Sequence, residues 1–434
     1  MKIGAISLGC DKNRVDTEKM LSRLVAGGHT LVGTEEEADI IIVNTCAFTD
    51  DAKNEAIDEI LSAVEHKRKN KKKKIIITGC LPQRYLDTLE KEFPQVDAFL
   101  GIADYDGICE TVEKITKGDK IYSCACGDGF YDGRVLTTPY HYAYLKIADG
   151  CNNHCTYCAI PSIRGKYRSE KMDDVLKEAK ALEKEGVREI ILVAQDVTRY
   201  GIDFDGQSHL VELVNALSAM DFDRIRLLYL EPEAITDEII DMIASNPKVV
   251  KYADVPLQHI DNATLKRMGR RCDEETTRAL IKKMRDKGIV LRSSFICGFP
   301  GETEEAHQKL VEFIGAGNID YAGFFAYSRE EGTAADRLQD HLDDEIKVER
   351  TNRLKDLQTS VINNRNNSLI GKTISVLFDE IDYDKQMFVG RAEFQAPDID
   401  NIVYFTADEE VHVGEFYDVE IVGTDGIDLV GKVL

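Results

Sequence analysis

His141-Tyr-Ala-Tyr-Leu-Lys-Ile147, then Ala-Asp-Gly, then Cys151-Asn-Asn-His-Cys155-Thr-Tyr-Cys158, is the stretch on which the reading of this chain turns. An apolar run of strand length gives way to a glycine and three cysteines spaced x3 and x2. The loops that follow parallel strands are where α/β folds place their chemistry. Three thiolates at this spacing can wrap one corner of a cubane cluster and leave one of its four irons without a protein ligand. A zinc knuckle is the competing reading. A structural zinc site wants a fourth ligand, and His154, inside the loop, has poor geometry for that task.

Downstream of the cysteines the strand–helix alternation continues. Strands are predicted over His141–Ile147, Glu189–Ala194, Arg224–Leu230, Tyr252–Leu257, Val290–Ile296 and Tyr321–Tyr327. Helical patterns such as Glu170–Glu185, Ser208–Met220, Asp273–Lys287 and Glu304–Phe313 separate them. Six such units predict an open (β/α)6 partial TIM barrel over residues 139–366, closed by a polar helix near Asp343–Asn364. Upstream, the buried-strand runs Lys2–Leu8, Asp39–Val43 and Lys74–Thr78 alternate with the helical patterns Asp16–Val25 and Ala52–Glu65. Residues 1–118 therefore read as a doubly wound parallel-sheet domain. Residues 119–138, with Gly127, Gly129 and Gly133, read as a linker. Residues 367–434 carry short alternating runs broken by Gly, Asp and Pro, the pattern of a small all-β barrel.

The N-terminal domain holds a second, dispersed set of thiols. Cys10, Cys46 and Cys80 each follow a predicted strand directly, in Leu8-Gly-Cys10, Asn44-Thr-Cys46 and Thr78-Gly-Cys80. The C-terminal ends of parallel strands face one crevice, so thiols far apart in sequence can converge there. The functional reading is a second cluster with three protein ligands and one exposed iron; the plain alternative is three small core residues. Cys297 reads as a core residue, and Cys109, Cys124, Cys126 and Cys272 show no pattern.

Bulk properties narrow the function. The chain has 434 residues, 43% hydrophobic and 31% charged, with a formal net charge of −23. That balance suits a soluble globular protein and opposes a surface built to grip phosphates. No apolar run approaches the roughly 20 residues of a membrane helix, and the N-terminus lacks a signal-peptide pattern. A cytoplasmic location is expected, where eleven cysteines serve as ligands or core residues rather than disulfides. Residues 367–434 hold 15 Asp and Glu against 4 Lys and Arg. Lys67–Lys74, with seven basic residues in eight, reads as a solvated helix end or as a contact for an acidic partner or rRNA.

The C-x3-C-x2-C loop, with Tyr157 before its last cysteine, resembles the radical S-adenosylmethionine superfamily. In that superfamily the methionine amino and carboxylate groups chelate the open iron, and one electron releases a 5′-deoxyadenosyl radical. The resemblance places Tyr157, Gln195, Asp196 and Gly298 around this cofactor. Ala194-Gln-Asp196 departs from the superfamily's Gly-Gly-Glu-like segment but keeps an acceptor there. Gly298 lies in Ile296-Cys-Gly-Phe-Pro-Gly-Glu302, where close approach to the adenine would favour glycine. His259, in Pro256-Leu-Gln-His259, either lines the same pocket or is structural.

Two tri-cysteine sets, a partial barrel and a terminal β-barrel of the TRAM (OB-like) kind together resemble the methylthiotransferase family over the whole chain. Ser7-Leu-Gly-Cys-Asp-Lys-Asn-Arg-Val-Asp16, Asn44-Thr-Cys-Ala-Phe-Thr-Asp50, Thr78-Gly-Cys-Leu-Pro-Gln-Arg84 and Tyr327-Ser-Arg-Glu-Glu-Gly-Thr333 look like the branch that modifies ribosomal protein S-12. That resemblance implies two 4Fe-4S clusters, at Cys151, Cys155 and Cys158 and at Cys10, Cys46 and Cys80. It implies hydrogen abstraction from the β-carbon of a substrate aspartate, then sulfur and methyl transfer. It also implies an electron donor such as flavodoxin or ferredoxin, and a substrate met free or on the ribosome. The acidic tail independently favours a basic protein over tRNA. tRNA methylthiolation and a non-enzymatic two-cluster carrier are the rival readings.

Overall fold

The computed structural model describes residues 1–102, 104–124 and 133–434. Strands β1 (Lys2–Ser7), β2 (Thr30–Leu31), β3 (Ile40–Thr45), β4 (Lys74–Gly79), β5 (Ala98–Leu100) and β6 (Ile121–Ser123) form one sheet, ordered β2-β1-β3-β4-β5-β6. Every pairing is parallel. Strand alternation sorts the side chains between two cores. Ile40, Ile42 and Ile76 meet Met20 and Leu24 of helix Asp11–Ala26 and Val112 and Ile115 of helix Ile108–Lys117. Ile41, Val43, Ile75 and Ile77 meet Ala56 and Ile60 of helix Asp50–Lys69 and Leu81 and Leu89 of helix Cys80–Glu92. Burial on both faces is why these strands read as unbroken isoleucine runs. The helices after β1 and β3 lie on opposite faces, so a switch point opens between those two strands.

Two boundaries differ from the sequence reading. The first helix begins at Asp11 rather than Asp16, because its opening polar turns are buried against the next domain instead of following apolar periodicity. Ile121–Ser123, read as the start of a linker, pairs with β5 as an edge strand; three residues are too few to show a period of two. Gly127, Gly129 and Cys126 lie outside the described residues. The Lys67–Lys74 run divides: Arg68, Lys69, Lys71 and Lys72 are exposed, as at a solvated helix end, and the other three are structural. Lys67 and Lys74 pair with the buried Asp97, and Lys73 donates to the carbonyls of Glu35, Glu36 and Ala38.

The central domain contains β7 (Tyr142–Lys146), the short ribbon β8 (Ala148–Asp149) and β9 (Arg168–Ser169), then β10 (Glu189–Val193), β11 (Arg224–Leu227), β12 (Tyr252–Asp254), β13 (Val290–Cys297) and β14 (Tyr321–Ala326). Six of them make the parallel wall of a partial barrel. It is built as two sheets of three, β11-β10-β7 and β12-β13-β14. The joint between them is irregular, spanned by the Ile225–Val249 bridge and by the Leu230 N–H to Asp254 carbonyl bond of 2.8 Å. Helix Asp344–Asn367 closes the domain against β14 and helix Glu304–Gly315.

Strands β15 (Thr373–Asp382), β16 (Met387–Ala392), β17 (Val403–Thr406), β18 (Phe416–Asp425) and β19 (Asp428–Val433) form a closed barrel, ordered β15-β16-β17-β19-β18. Its Val376, Phe378, Val403 and Phe405 share one core with Tyr142, Tyr144, Tyr252 and Tyr321 from the wall. Among the described residues, no helix is long and apolar enough to cross a membrane.

Charge fixes how the small barrel sits. Glu189, at the start of β10, accepts from Arg226 at 2.7 Å and from Arg391 of β16 at 2.8 Å, with all three side chains buried. Burial alone would raise the Glu189 carboxyl, but the guanidiniums of Arg226 and Arg391 bring it down to about 2. A carboxyl so depressed stabilises the fold fully above its unfolded value of about 4.3, and that contribution is lost as pH falls toward 2. Glu189→Gln leaves the buried Arg226 without its carboxylate and Arg391 with Asp379 alone, and is expected to cost about 3–5 kcal/mol in urea unfolding at neutral pH. Acid titration followed by circular dichroism should show a smaller wild-type advantage at pH 3 than at pH 7. An advantage that does not change with pH would contradict this account.

Candidate active site: two cysteine triads across a domain seam

The loop 150–167 leaves the barrel between β8 and β9 and is pinned at several points. The Cys151 N–H donates to the Gly165 carbonyl at 3.1 Å, and the Thr156 N–H donates to the Met268 carbonyl at 2.9 Å. The Thr156 hydroxyl donates to the Arg267 carbonyl at 2.8 Å, and the Thr156 carbonyl accepts from Ala335 N–H at 2.8 Å. Tyr157 anchors the loop edge-on against Phe299, with ring centroids 6.5 Å apart. Cys151, Cys155 and Cys158 are half-buried and electrostatically coupled to one another. The Asn153 N–H donates to Cys151 Sγ at 3.3 Å, and Arg270 donates to Cys155 Sγ at 3.7 Å. Burial pushes the Cys151 thiol up to about 11 and Cys158 up to about 12. Loading a metal there must therefore expel protons. His154 is exposed.

The dispersed cysteines converge at the switch point of the N-terminal sheet. A Cβ on Gly9 would lie 3.0 Å from Cys46 Sγ, so only glycine lets the turn before Cys10 pass so close. Cys80 is in electrostatic contact with both Cys10 and Cys46, and burial pushes its thiol up to about 12 against the lowering pull of Arg164. Asn13 ties the three segments together. Its amide donates to the Leu8 and Thr45 carbonyls at 3.1 and 3.0 Å, and its Oδ1 accepts from Cys80 Sγ at 3.7 Å.

Both donor sets can be tested against a single ion. A tetrahedral zinc with Zn–S of about 2.3 Å holds its sulfurs roughly 3.8 Å apart. Among the described residues, neither triad brings all three sulfurs within 4.8 Å of one another. Wider spacing and an all-thiol donor set fit an iron–sulfur cluster rather than one zinc ion.

Arg164 crosses from one triad to the other. It ends helix Ile160–Arg164, six residues past Cys158, and its guanidinium reaches Asp149 at 2.9 Å and Asp16 at 3.2 Å. The same group contacts Asn13 and lies 4.0 Å from Cys80 Sγ. Burial would raise the Asp149 carboxyl, but Arg164 and Lys146 hold it well below the ordinary carboxylate range. Sequence reading missed Arg164, Asp149, Asn13 and Arg270. Their signal is present only as polar residues beside the cysteines, and nothing in spacing separates them from surface residues.

The other residues expected at the cofactor divide. Gln195, two residues past β10, has both side-chain polar atoms buried and without partners, which leaves them open to a ligand. Tyr157 places its phenol beside Cys155. Asp196 is engaged within the chain: one oxygen accepts from the Thr198 N–H at 3.1 Å and the other from Arg199 at 2.9 Å. Gly298 has a φ of 72°, and an added Cβ there would lie 2.4 Å from Lys347 Cγ. His259 is fully buried, accepting from the Asp261 N–H at 2.9 Å with Nε2 3.7 Å from Glu302. Its Nε2 has no hydrogen-bond partner among the described residues, and burial lowers its pKa to about 3.

Three family profiles match the chain: an uncharacterized protein family, UPF0004, over residues 2–101, the radical SAM superfamily over 145–314, and the TRAM domain over 370–434. The chain is 45% identical to a ribosomal protein uS12 methylthiotransferase RimO of Clostridium botulinum, covering 100% of this chain and 98% of that one. A relative of the same name from Acetivibrio thermocellus is also 45% identical, with the same coverage. Among solved structures, the radical S-adenosylmethionine methyltransferase TsrM of Kitasatospora setae aligns with a TM-score of 0.55 at 14% identity, over 74% of this chain and 72% of that one. The cobalamin-dependent radical enzyme OxsB aligns with a TM-score of 0.52 at 13% identity, over 82% and 56%. At such identities these two show the fold alone. Full-length identity of 45%, joined to two cysteine triads on one seam, establishes that the chain belongs to the RimO family of radical S-adenosylmethionine methylthiotransferases.

Proposed function

We propose that the chain adds a methylthio group to the β-carbon of an aspartate in ribosomal protein uS12. The observation that carries this reading is the placement of two tri-cysteine sites on opposite sides of one seam, with Arg164 touching Cys80 of one and growing from the loop of the other. Family membership implies S-adenosylmethionine and 4Fe-4S clusters as cofactors. Cys151, Cys155 and Cys158 hold the cluster that supplies the hydrogen-abstracting radical from S-adenosylmethionine, and Cys10, Cys46 and Cys80 hold the one that supplies sulfur. The chain's own residues orient and enclose. Arg270 and the Asn153 N–H donate to the first triad's sulfurs, Asn13 fixes the second, and Gln195 offers an amide to the bound cofactor.

Surface charge supports a protein substrate over tRNA. The small barrel exposes Glu380, Asp384, Asp408, Glu409, Glu410, Asp418, Glu420 and Asp425, whereas Arg391 is turned inward onto Glu189. Against these carboxylates the barrel exposes only Lys372, Lys385 and Lys432, so its outer face is acidic. Such a face attracts a basic ribosomal protein and repels a polyanion. The substrate is met free or on the ribosome, and a small donor such as flavodoxin or ferredoxin supplies electrons.

Anaerobic reconstitution is expected to load about eight irons on the wild-type protein and about four on a Cys10, Cys46, Cys80 to Ala triple variant. About four on both would confine metal to one triad and remove the case for sulfur transfer. Cys155→Ala is expected to abolish S-adenosylmethionine cleavage. Cys46→Ala is expected to retain cleavage while giving no methylthiolated uS12 by mass spectrometry. Methylthiolated product from Cys46→Ala would sink the second-cluster reading.

A further inference from the structure

Lys12 lies two residues past Cys10 and is 6% exposed. The other buried lysines of the described residues all rest on oxygen. Lys19 pairs with Glu178 and Lys146 with Asp16. Lys73 donates to backbone carbonyls, and Lys347 reaches Asp344 at 2.8 Å. The Lys12 ammonium instead stands 3.3 Å from the centroid of the Tyr229 ring, and no carboxylate of the described residues is within ion-pairing distance. A ring face attracts the charge but satisfies none of the three N–H donors as an oxygen would. The side chain is covered along its length, while the ammonium keeps some access to solvent and is free to take an acceptor that enters from there.

The place is as telling as the missing partner. Tyr229 has φ of 63°, a left-handed conformation that a bulky residue adopts only under constraint, and it sits just past β11 where the barrel wall changes sheets. Its hydroxyl donates to Asp11 at 2.9 Å, and its ring is within electrostatic reach of Cys10. Two residues on, Glu231 pairs with Arg270 beside the other triad. Lys12 therefore stands where one turn of the wall meets both cysteine sites.

We infer that Lys12 binds a carboxylate, and that this carboxylate is the side chain of the substrate aspartate. The inference rests on the function proposed above and deepens it. In aspartate the carboxyl carbon is bonded directly to the carbon that reacts, so holding the carboxylate fixes the reacting carbon one bond away. A cation on a ring also discriminates against asparagine, whose amide carries no charge to offer. The methionine carboxylate of S-adenosylmethionine is the other carboxylate brought to this region, so the experiment must separate the two.

Wild-type holoenzyme, Lys12→Met and Lys12→Arg, all reconstituted anaerobically, are titrated with three probes. These are a fluorescent uS12 peptide carrying the target aspartate, the same peptide with asparagine there, and S-adenosylmethionine alone. Wild type is expected to prefer the aspartate peptide by about tenfold or more. Lys12→Met should lose that preference by weakening on the aspartate peptide alone, and Lys12→Arg should keep most of it. Equal wild-type affinity for both peptides overturns the inference without needing any variant to fold. So does an unchanged preference in Lys12→Met, or a loss confined to S-adenosylmethionine. Wild type that prefers the aspartate peptide but never methylthiolates it would instead refute the proposed function and leave the carboxylate site standing.

Discussion

The guanidinium of Arg164 is the contact on which the geometry of this protein depends. Its backbone belongs to the loop that carries Cys151, Cys155 and Cys158, while its head group lies among Asn13, Asp16 and Asp149 with Cys80 beyond. A buried ionic contact of this kind adds little net stability over an apolar one, because desolvation offsets most of the attraction. Misdocking is another matter, since it would strip the buried Asp16 of both Arg164 and Lys146. The seam therefore selects one register of the two domains. Lys146 on Asp16, Arg134 on Glu18 and Lys19 on Glu178 extend the same selection along helix Asp11–Ala26.

The two layers of the barrel wall divide the work. Strand beginnings, such as Glu189 and Arg224, face the small β-barrel and bind it through charges and backbone carbonyls. Strand ends, at Gln195, Tyr229 and Glu231, face the cysteines. Glu330 makes a second tie across the seam, accepting from Arg84 at 2.7 Å and from Lys53 at 3.1 Å. Arg84 follows Cys80 in sequence and Lys53 follows Cys46, so these anchors hold the dispersed thiols from behind.

Much of this was legible in the sequence, and the unread part has a common cause. Apolar periodicity showed the three domains, the six-strand wall and the five strands of the terminal barrel, because burial of one face imposes a period. Direct placement of Cys10, Cys46 and Cys80 after strands showed the second triad, because parallel topology sends those ends to one crevice. Helix Asp11–Ala26 was read short because Lys12, Asn13, Asp16, Glu18 and Lys19 are buried polar residues, and a buried polar face looks like a solvated one in sequence. Gly298 was assigned to the cofactor, and the structure gives it two other reasons, a φ of 72° and the close approach of Lys347. A glycine reports that something approaches closely and does not report what.

The bare thiols carry the last step. Burial drives Cys80 and Cys158 up to about 12 and Cys151 up to about 11, which favours the protonated form of these three thiols when no metal is bound. A loaded cluster replaces those protons with thiolate charge in a space that excludes water. That charge needs a permanent counterion nearby, and each triad has one that cannot deprotonate: Arg270 against Cys155 and Arg164 near Cys80. Lysine would lose its proton more readily in such surroundings. Arginine at these two positions and a lone lysine on the Tyr229 ring thus answer different demands. The arginines balance a charge that stays, and the lysine faces a space where charge comes and goes with the substrate.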